Sequence, residues 1–262
     1  MKAKPLYGGG SVEPAYQLRY DWTGWASAGA TFPKETDEFI ANLRGPWEGD
    51  GLRVLESTCS HRQMQILCSV KPHVAPTVFV ARLKGRLDHA FRERGLAVPF
   101  SRKVAMRSVG NNSTAEVEQY IEQQVGKERL ADPRFGESLR QFTIADPSVD
   151  LSVPSETLSG RYWYNLHLVL VTAERFRIAD PAWLGKIRDQ SIRVASKKGH
   201  AISRLAVMPD HLHVALRANV ADSPQVVALG FQNNLYVGTF SEYDIGAIRA
   251  SARNECREHP AP

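Results

Sequence analysis

Val207-Met208-Pro209-Asp210-His211-Leu212-His213-Val214-Ala215-Leu216 decides the reading of this chain, because a second, altered copy of it lies upstream as Gln63-Met64-Gln65-Ile66-Leu67. Side chains alternate along a strand, so His211 and His213 project from one face while Leu212 and Val214 point to the other. Two imidazoles so placed can share one metal ion. The upstream copy has Gln63 and Gln65 at those positions.

The same spacing carries Tyr16-Gln17-Leu18-Arg19 onto Tyr164-Asn165-Leu166-His167, and Ala75-Pro76 onto Ser223-Pro224. Val78 to Leu83 then falls on Val226 to Phe231; beyond it a deletion in the second copy brings Met106-Arg107-Ser108-Val109 over Val237-Gly238-Thr239-Phe240 and Val117 over Ile248. The landmarks keep their order, which marks an internal duplication. Each copy reads as strand, helix, strand, helix, strand, helix.

In the second copy, Tyr164 to Thr172 is an alternating strand, and Pro181 to Lys197 is a helix capped by Asp180. Ala201 to Met208 and Leu212 to Ala218 flank a Pro-Asp turn, and a short helix starts at Pro224. In the first copy, Leu52 to Ser57 and Met64 to Val70 form the matching hairpin, Pro76 to Glu93 a helix, and a last helix starts at Ser113 or Thr114 with Glu116 in its first turn. The division is therefore residues 1–125, a linker over 126–160 rich in Pro, Ser, Asp and Gly, and residues 161–262. Phe135 to Phe142 is the one part of that linker with helical character.

A chain of 262 residues with 43% hydrophobic and 23% charged residues is that of a globular protein with room for two small domains. No apolar run reaches the roughly 20 residues a membrane helix needs, and Met1-Lys2-Ala3-Lys4-Pro5 lacks the apolar centre of a signal peptide. The expected location is the cytoplasm. Cys59, Cys68 and Cys256 show no CxxC spacing and are read as bystanders. A net charge of +5 permits contact with a phosphate backbone without requiring it.

The first copy offers Tyr120-Ile121-Glu122-Gln123-Gln124, where the second has Ser251-Ala252-Arg253-Asn254-Glu255 and no tyrosine. Four residues apart on a helix, Tyr120 and Gln124 share a face, beside a buried stripe of Val117 and Ile121. Each copy thus lacks what the other keeps, leaving the parts of a single site. A phenol can attack a phosphodiester in line while a cation held by imidazoles offsets charge on the phosphate. A free tyrosine keeps its proton up to about pH 10, so it needs help to become a nucleophile. The covalent phosphotyrosine conserves bond energy for rejoining, which suits cutting and joining better than hydrolysis.

The segments Val207 to His213 and Tyr120 to Gln124 resemble the single-tyrosine HUH transposases, among them the insertion-sequence enzymes and the REP-associated tyrosine transposases. Arg82-Leu83-Lys84-Gly85, Arg107-Ser108-Val109-Gly110 and Tyr236-Val237-Gly238-Thr239-Phe240 add weaker matches. The resemblance implies an α+β fold of two ferredoxin-like, HUH-type domains in tandem, with antiparallel sheets and helices packed on one face, forming an intramolecular pseudo-dimer. It implies His211, His213 and Gln124 as ligands of Mg²⁺ or Mn²⁺ and Tyr120 as nucleophile on single-stranded or hairpin DNA, in a bacterial cytoplasm and in use at the nucleoid. Gln63, Gln65 and Ser251 depart from the family pattern, as a fused dimer with one trans-assembled site can tolerate.

Arg82, Lys84, Arg86, Arg102, Lys103 and Arg107 are the candidate DNA contacts of the first copy; Arg188, Arg193, Lys197 and Lys198 are those of the second. Trp22, Trp25 and Trp47 are assigned to core packing or the seam, and His61 to ordinary surface. Two other readings stay open: a catalytically inactive hairpin-binding protein, and a relaxase-like or replication-initiator-like nickase.

Overall fold

The computed structural model describes residue 8 and residues 18–96, 100–127, 133–235 and 240–247. The fold is α+β, with two largely antiparallel sheets and seven α-helices among the described residues. In the first lobe the chain runs β1 (Leu18–Ala26), α1 (Thr36–Gly49), β2 (Leu52–Cys59), β3 (Gln63–Val70), α2 (Pro76–Glu93) and β4 (Phe100–Val109). Next come α3 (Thr114–Glu122), α4 (Gln124–Lys127), α5 (Pro133–Leu139), β5 (Thr143–Ala145), β6 (Ser155–Thr157) and β7 (Gly160–Trp163). The second lobe is β8 (Asn165–Thr172), α6 (Pro181–Lys198), β9 (Ala201–Val207), β10 (His211–Arg217), α7 (Pro224–Gln232) and β11 (Phe240–Ala247).

The six-stranded sheet has the order β2-β3-β1-β4-β7-β6 and the five-stranded sheet β11-β8-β10-β9-β5. The neighbour relations of β1 to β4 are therefore those of β8, β9, β10 and β11. Each copy forms strand, helix, strand, strand, helix, strand rather than a strict alternation, because the histidine strand and its glutamine counterpart are the second arms of hairpins.

Alternation decides which face of each sheet is covered. Tyr20, Trp22, Met64, Ile66, Val104 and Met106 are fully or almost fully buried, as are Phe79 and Leu83 of α2. In the second lobe Leu166, Leu168, Leu170, Leu212, Val214 and Leu216 join Leu184, Ile187, Val227 and Phe231 of the helices in the same core. Burying a side chain of this kind is worth about 1.5–3 kcal/mol, so one face of each sheet carries most of the stability. Trp22 and Trp47 lie in that core, whereas Trp25 packs with Trp163 and Ala105 on the outer face of the first sheet. Cys68 is buried, which pushes its thiol up to about 12; Cys59 is half-buried, and Cys256 lies outside the described residues.

The stretch expected to be a linker is built into both sheets. Strand β7 runs parallel to β4, pairing Val104 with Gly160 and Arg107 with Trp163, and β5 pairs with β9. Gly160 is required there, since a Cβ would lie 2.1 Å from the Val104 carbonyl oxygen. The chain crosses between sheets at Tyr164, pinned by the buried Ser108 hydroxyl, which donates to the carbonyls of Trp163 and Asn165. Short polar segments of this kind lack the periodicity that marks an element in sequence, and edge pairing supplies the order instead. The helical character of Phe135 to Phe142 appears as α5 followed by one 3₁₀ turn.

Two hydrogen bonds between lobes are reciprocal. The Thr77 amide donates to the Val220 carbonyl (3.3 Å) and the Gln225 amide to the Pro72 carbonyl (2.9 Å). Thr77 corresponds to Gln225, and Pro72 to Val220, in the spacing that sets Gln63 on His211. Contacts of the form i to j and j to i are the pattern of a twofold axis. Tyr16, Gln17, the stretch Tyr236 to Thr239, and Ile248 with Ser251 to Glu255 lie outside the described residues.

Candidate active site

Helix α3 leaves its own lobe and lies on the outer face of the second sheet. Its start is fixed by a capping box, in which the Ser113 side chain accepts from the Glu116 amide and Glu116 accepts from the Ser113 amide. Val117 and Ile121, one turn apart, are buried against Ala206, Ala215 and Leu151. Those alanines alternate with histidines: His213 pairs with Ala206 across one ladder, and Ala215 with His167 across the other. Small residues let the helix approach, and the imidazoles stand beside it. Arg204 of β9 clamps the helix through Glu122 and Glu118, and its own side chain is largely buried.

This docking brings Tyr120 to the histidines. Its ring centroid is 5.4 Å from that of His213 and 6.1 Å from that of His167, both edge to face. His211 lies beside His213 with centroids 4.8 Å apart. Tyr120 is 42% exposed and His213 only 4%, so the phenol is at the mouth of the site and the imidazole at its floor. The Lys127 ammonium stands 4.6 Å over the Tyr120 ring, and a groove of about 680 Å³ lined by Lys127, Arg140, Gln123 and Thr143 opens alongside.

Both motif histidines have Nδ1 engaged. His211 Nδ1 is 2.6 Å from Asp210 Oδ1, and His213 Nδ1 is 3.1 Å from His167 Nε2. With Nδ1 protonated in each, both Nε2 lone pairs are left for a cation, the usual way a supporting contact sets a ligand tautomer. Burial, reinforced by His167 and His211, pulls the His213 pKa down to about 3, so the ring is a neutral donor at physiological pH. Burial would raise the Asp210 carboxyl, but its bond to His211 and the charges of His211 and Arg175 outweigh this and hold it below the usual carboxylate range.

Gln124 is reached by a helix that breaks rather than continues. Helix α3 ends at Glu122 and α4 begins at Gln124, whose buried side-chain amide donates to the Tyr120 carbonyl (3.0 Å). That bond uses the nitrogen and leaves Oε1 as the group able to ligate. The imidazoles of His211 and His213 and the amide oxygen of Gln124 are donor types a cation accepts, and the ring contact joins the two imidazoles, whereas the contact of Gln124 is to the Tyr120 carbonyl; among the described residues no cluster of three His, Cys, Asp or Glu side chains could hold a metal.

The proposed DNA contacts do not share one surface. Lys84 donates to the Ser101 carbonyl (2.8 Å), Arg86 pairs with Asp50 (2.6 Å), and Arg107 stacks over Trp163 (4.4 Å) on the outer sheet face. Arg82, Arg102 and Lys103 are exposed, as are Arg193, Lys197 and Lys198, while Arg188 donates to the Gln141 carbonyl and pairs with Asp189. His61 is exposed. His167, Asp210 as a partner of His211, Lys127 and Arg204 were not singled out from sequence. His167 carried a usable signal, since alternation with Leu166 and Leu168 puts it on the face opposite the core.

The family model for IS200-like transposases matches residues 161–233. No curated protein matches the chain. Among solved structures, a VAO-type flavoprotein from Myceliophthora thermophila C1 aligns at a TM-score of 0.22 and 12% identity, covering 90% of this chain; the chain spans 41% of that protein, and the likeness carries no argument. The IS200-like family match runs from β7 to the end of α7, so it covers the histidine strand and leaves the Tyr120 helix outside it.

Proposed function

We propose that the protein cleaves and rejoins single-stranded or hairpin DNA through a covalent bond to Tyr120, in one composite site of a tandem pair of ferredoxin-like, HUH-type units. The observation that carries this is the meeting of Tyr120, from the first lobe, with His213 of the second, which has His211 beside it. The reciprocal bonds between Thr77, Val220, Gln225 and Pro72 support the pseudo-dimer.

In this reading His211 and His213, through Nε2, and Gln124, through Oε1, hold Mg²⁺ or Mn²⁺. A cation bound there would supply positive charge to offset the charge that builds on the phosphate in the transition state. Tyr120 Oη forms the new bond to phosphorus and gives up its proton, and the departing ester oxygen leaves as a hydroxyl. Lys127 adds a second positive charge on the solvent side of the ring. Arg82, Arg102, Lys103 and the groove beside Lys127 and Arg140 offer phosphate contacts, with Lys84, Arg86 and Arg107 as weaker candidates because each is already engaged.

The test is incubation of the full chain with labelled single-stranded and hairpin oligonucleotide pools in Mn²⁺ or Mg²⁺, followed by denaturing electrophoresis. A labelled protein adduct is expected, abolished by chelator and by Tyr120→Phe. Hairpin binding with no adduct under any condition would overturn the enzyme in favour of a DNA-binding protein.

A further inference from the structure

We infer that the connection between β8 and α6, Ala173 to Asp180, is a subsite for an unpaired base, with Phe176 as its stacking surface and Arg175 and Arg177 beside it. The inference rests on the strand-cleavage reading above and adds to it where the substrate is gripped.

Phe176 is 70% exposed. It is nonetheless held in place: its amide donates to the Ala173 carbonyl (3.0 Å) and its carbonyl accepts from Thr172 Oγ1 (2.8 Å). The connection is also tied to the turn before the histidines. Thr172 donates its amide to the Asp210 carbonyl (2.9 Å), and Ile178 donates its amide to the Pro209 carbonyl (2.8 Å). The backbone that carries this exposed ring is thus fixed at a set place beside the histidine turn, where the ring is open to a partner.

The backbone gives a second observation. Glu174 and Arg175 have φ of 52° and 53°, the left-handed region that side chains with a Cβ rarely adopt. Residues held in that region cost free energy and are enriched at ligand-binding and active sites. In the first lobe the corresponding connection after β1 uses Gly29 for its positive φ, and its aromatic residue, Phe32, is buried. The lobe with glutamines at the motif positions makes this turn at a glycine and hides its ring; the lobe with His211 and His213 does neither.

Position supplies the partner. The connection leaves β8 just past Val171, which pairs with His211. Arg175 reaches Asp210 (3.5 Å), and Asp210 holds His211. An exposed ring between two exposed arginines in sequence, one of which reaches Asp210 next to His211, matches the π-face and phosphates of a single-stranded nucleotide. A base inside a duplex offers no such face.

The test uses the full chain in chelator, where cleavage is silent, with fluorescein-labelled oligothymidylate of about 20 nucleotides and its duplex as probes, read by anisotropy at one salt concentration. Phe176→Ala is expected to weaken single-strand binding about tenfold, to leave duplex binding within about twofold, and to leave the melting temperature unchanged; Phe176→Trp restores single-strand binding. Equal single-strand affinity of wild type and Phe176→Ala overturns the subsite alone, as does a Trp variant no better than Ala, or an equal loss on duplex. Failure of the wild-type protein to bind the single strand overturns the strand-cleavage reading and the subsite together.

Discussion

The outer faces of the two sheets are the same surface built for different ends. In the second lobe, His211, His213 and His167 share that face with Ala206 and Ala215, and a helix from the first lobe lies across it. In the first lobe, Gln63 and Gln65 hold the matching positions; Gln65 donates to Asp21 (2.8 Å), and Arg107 stacks on Trp163. Burial raises the Asp21 carboxyl, opposed by the Gln65 hydrogen bond and the Arg107 charge. The Gln65 amide there satisfies a carboxylate of its own sheet, whereas the imidazoles there use Nδ1 for a neighbour and have Nε2 as a second nitrogen. On the function proposed above, the difference teaches that two lobes of one chain can divide one site's chemistry: one sheet would keep the donors, and the other lobe would contribute its tyrosine helix.

The largest effect that could break this comparison is on the donors themselves. His211→Ala or His213→Ala should lower adduct formation about a hundredfold or more, the scale of losing a cation's charge stabilisation. Gln63→Ala and Gln65→Ala should leave it within about twofold. Measured as initial rates of adduct formation in Mn²⁺, a comparable loss from the glutamine variants would show that both faces take part and that the division is wrong.

A smaller effect sharpens the claim that the first lobe acts by delivering a helix. Ile121→Ala removes a fully buried side chain from the small cluster holding α3 on the second sheet. It should cost about 2–3 kcal/mol, toward the low end for such truncations because α3 is short and its edge can settle. Both the melting temperature and the adduct yield should fall, since Tyr120 is positioned by that contact. An unchanged yield in a destabilised variant would mean that Tyr120 reaches the histidines without α3 docked where it lies.

How much of this was legible in sequence follows from which forces each feature needs. The helix Pro76 to Glu93, the Asp180 cap and the Ser113 cap were readable because local periodicity and capping chemistry fix them. The histidine pair was readable because a strand's period of two is strict. Alternation puts His167 on the outer face, but its place beside His213 comes from antiparallel register with β10, a long-range pairing that no local pattern encodes. The break between α3 and α4 was hidden because the Tyr-Ile-Glu-Gln-Gln run contains no Gly or Pro to end a helix. The segment from 126 to 160 looked like a linker because β5, β6 and β7 are too short to show alternation, and their order comes from the edges they join.

The smallest effect concerns pH and again sets His213 against Gln65. His213 is pulled down to about 3 by burial and by its histidine neighbours, while an unfolded histidine titrates near 6.5. Between those values the unfolded chain takes up a proton that the folded chain refuses, so stability is retained above about pH 6.5 and falls as pH drops through the window. From pH 7 to pH 6 the loss from this one group is about 0.7 kcal/mol. His213→Gln, which installs the first lobe's residue, should remove that increment, so the variant's melting temperature should decline less steeply over the same interval. The buried His200 is shifted in the same direction in both proteins and cancels in the difference. Parallel declines for wild type and variant would mean that His213 accepts a proton in the folded state, and that the neutral, cation-ready imidazole assigned to the second lobe is not what distinguishes it from the first.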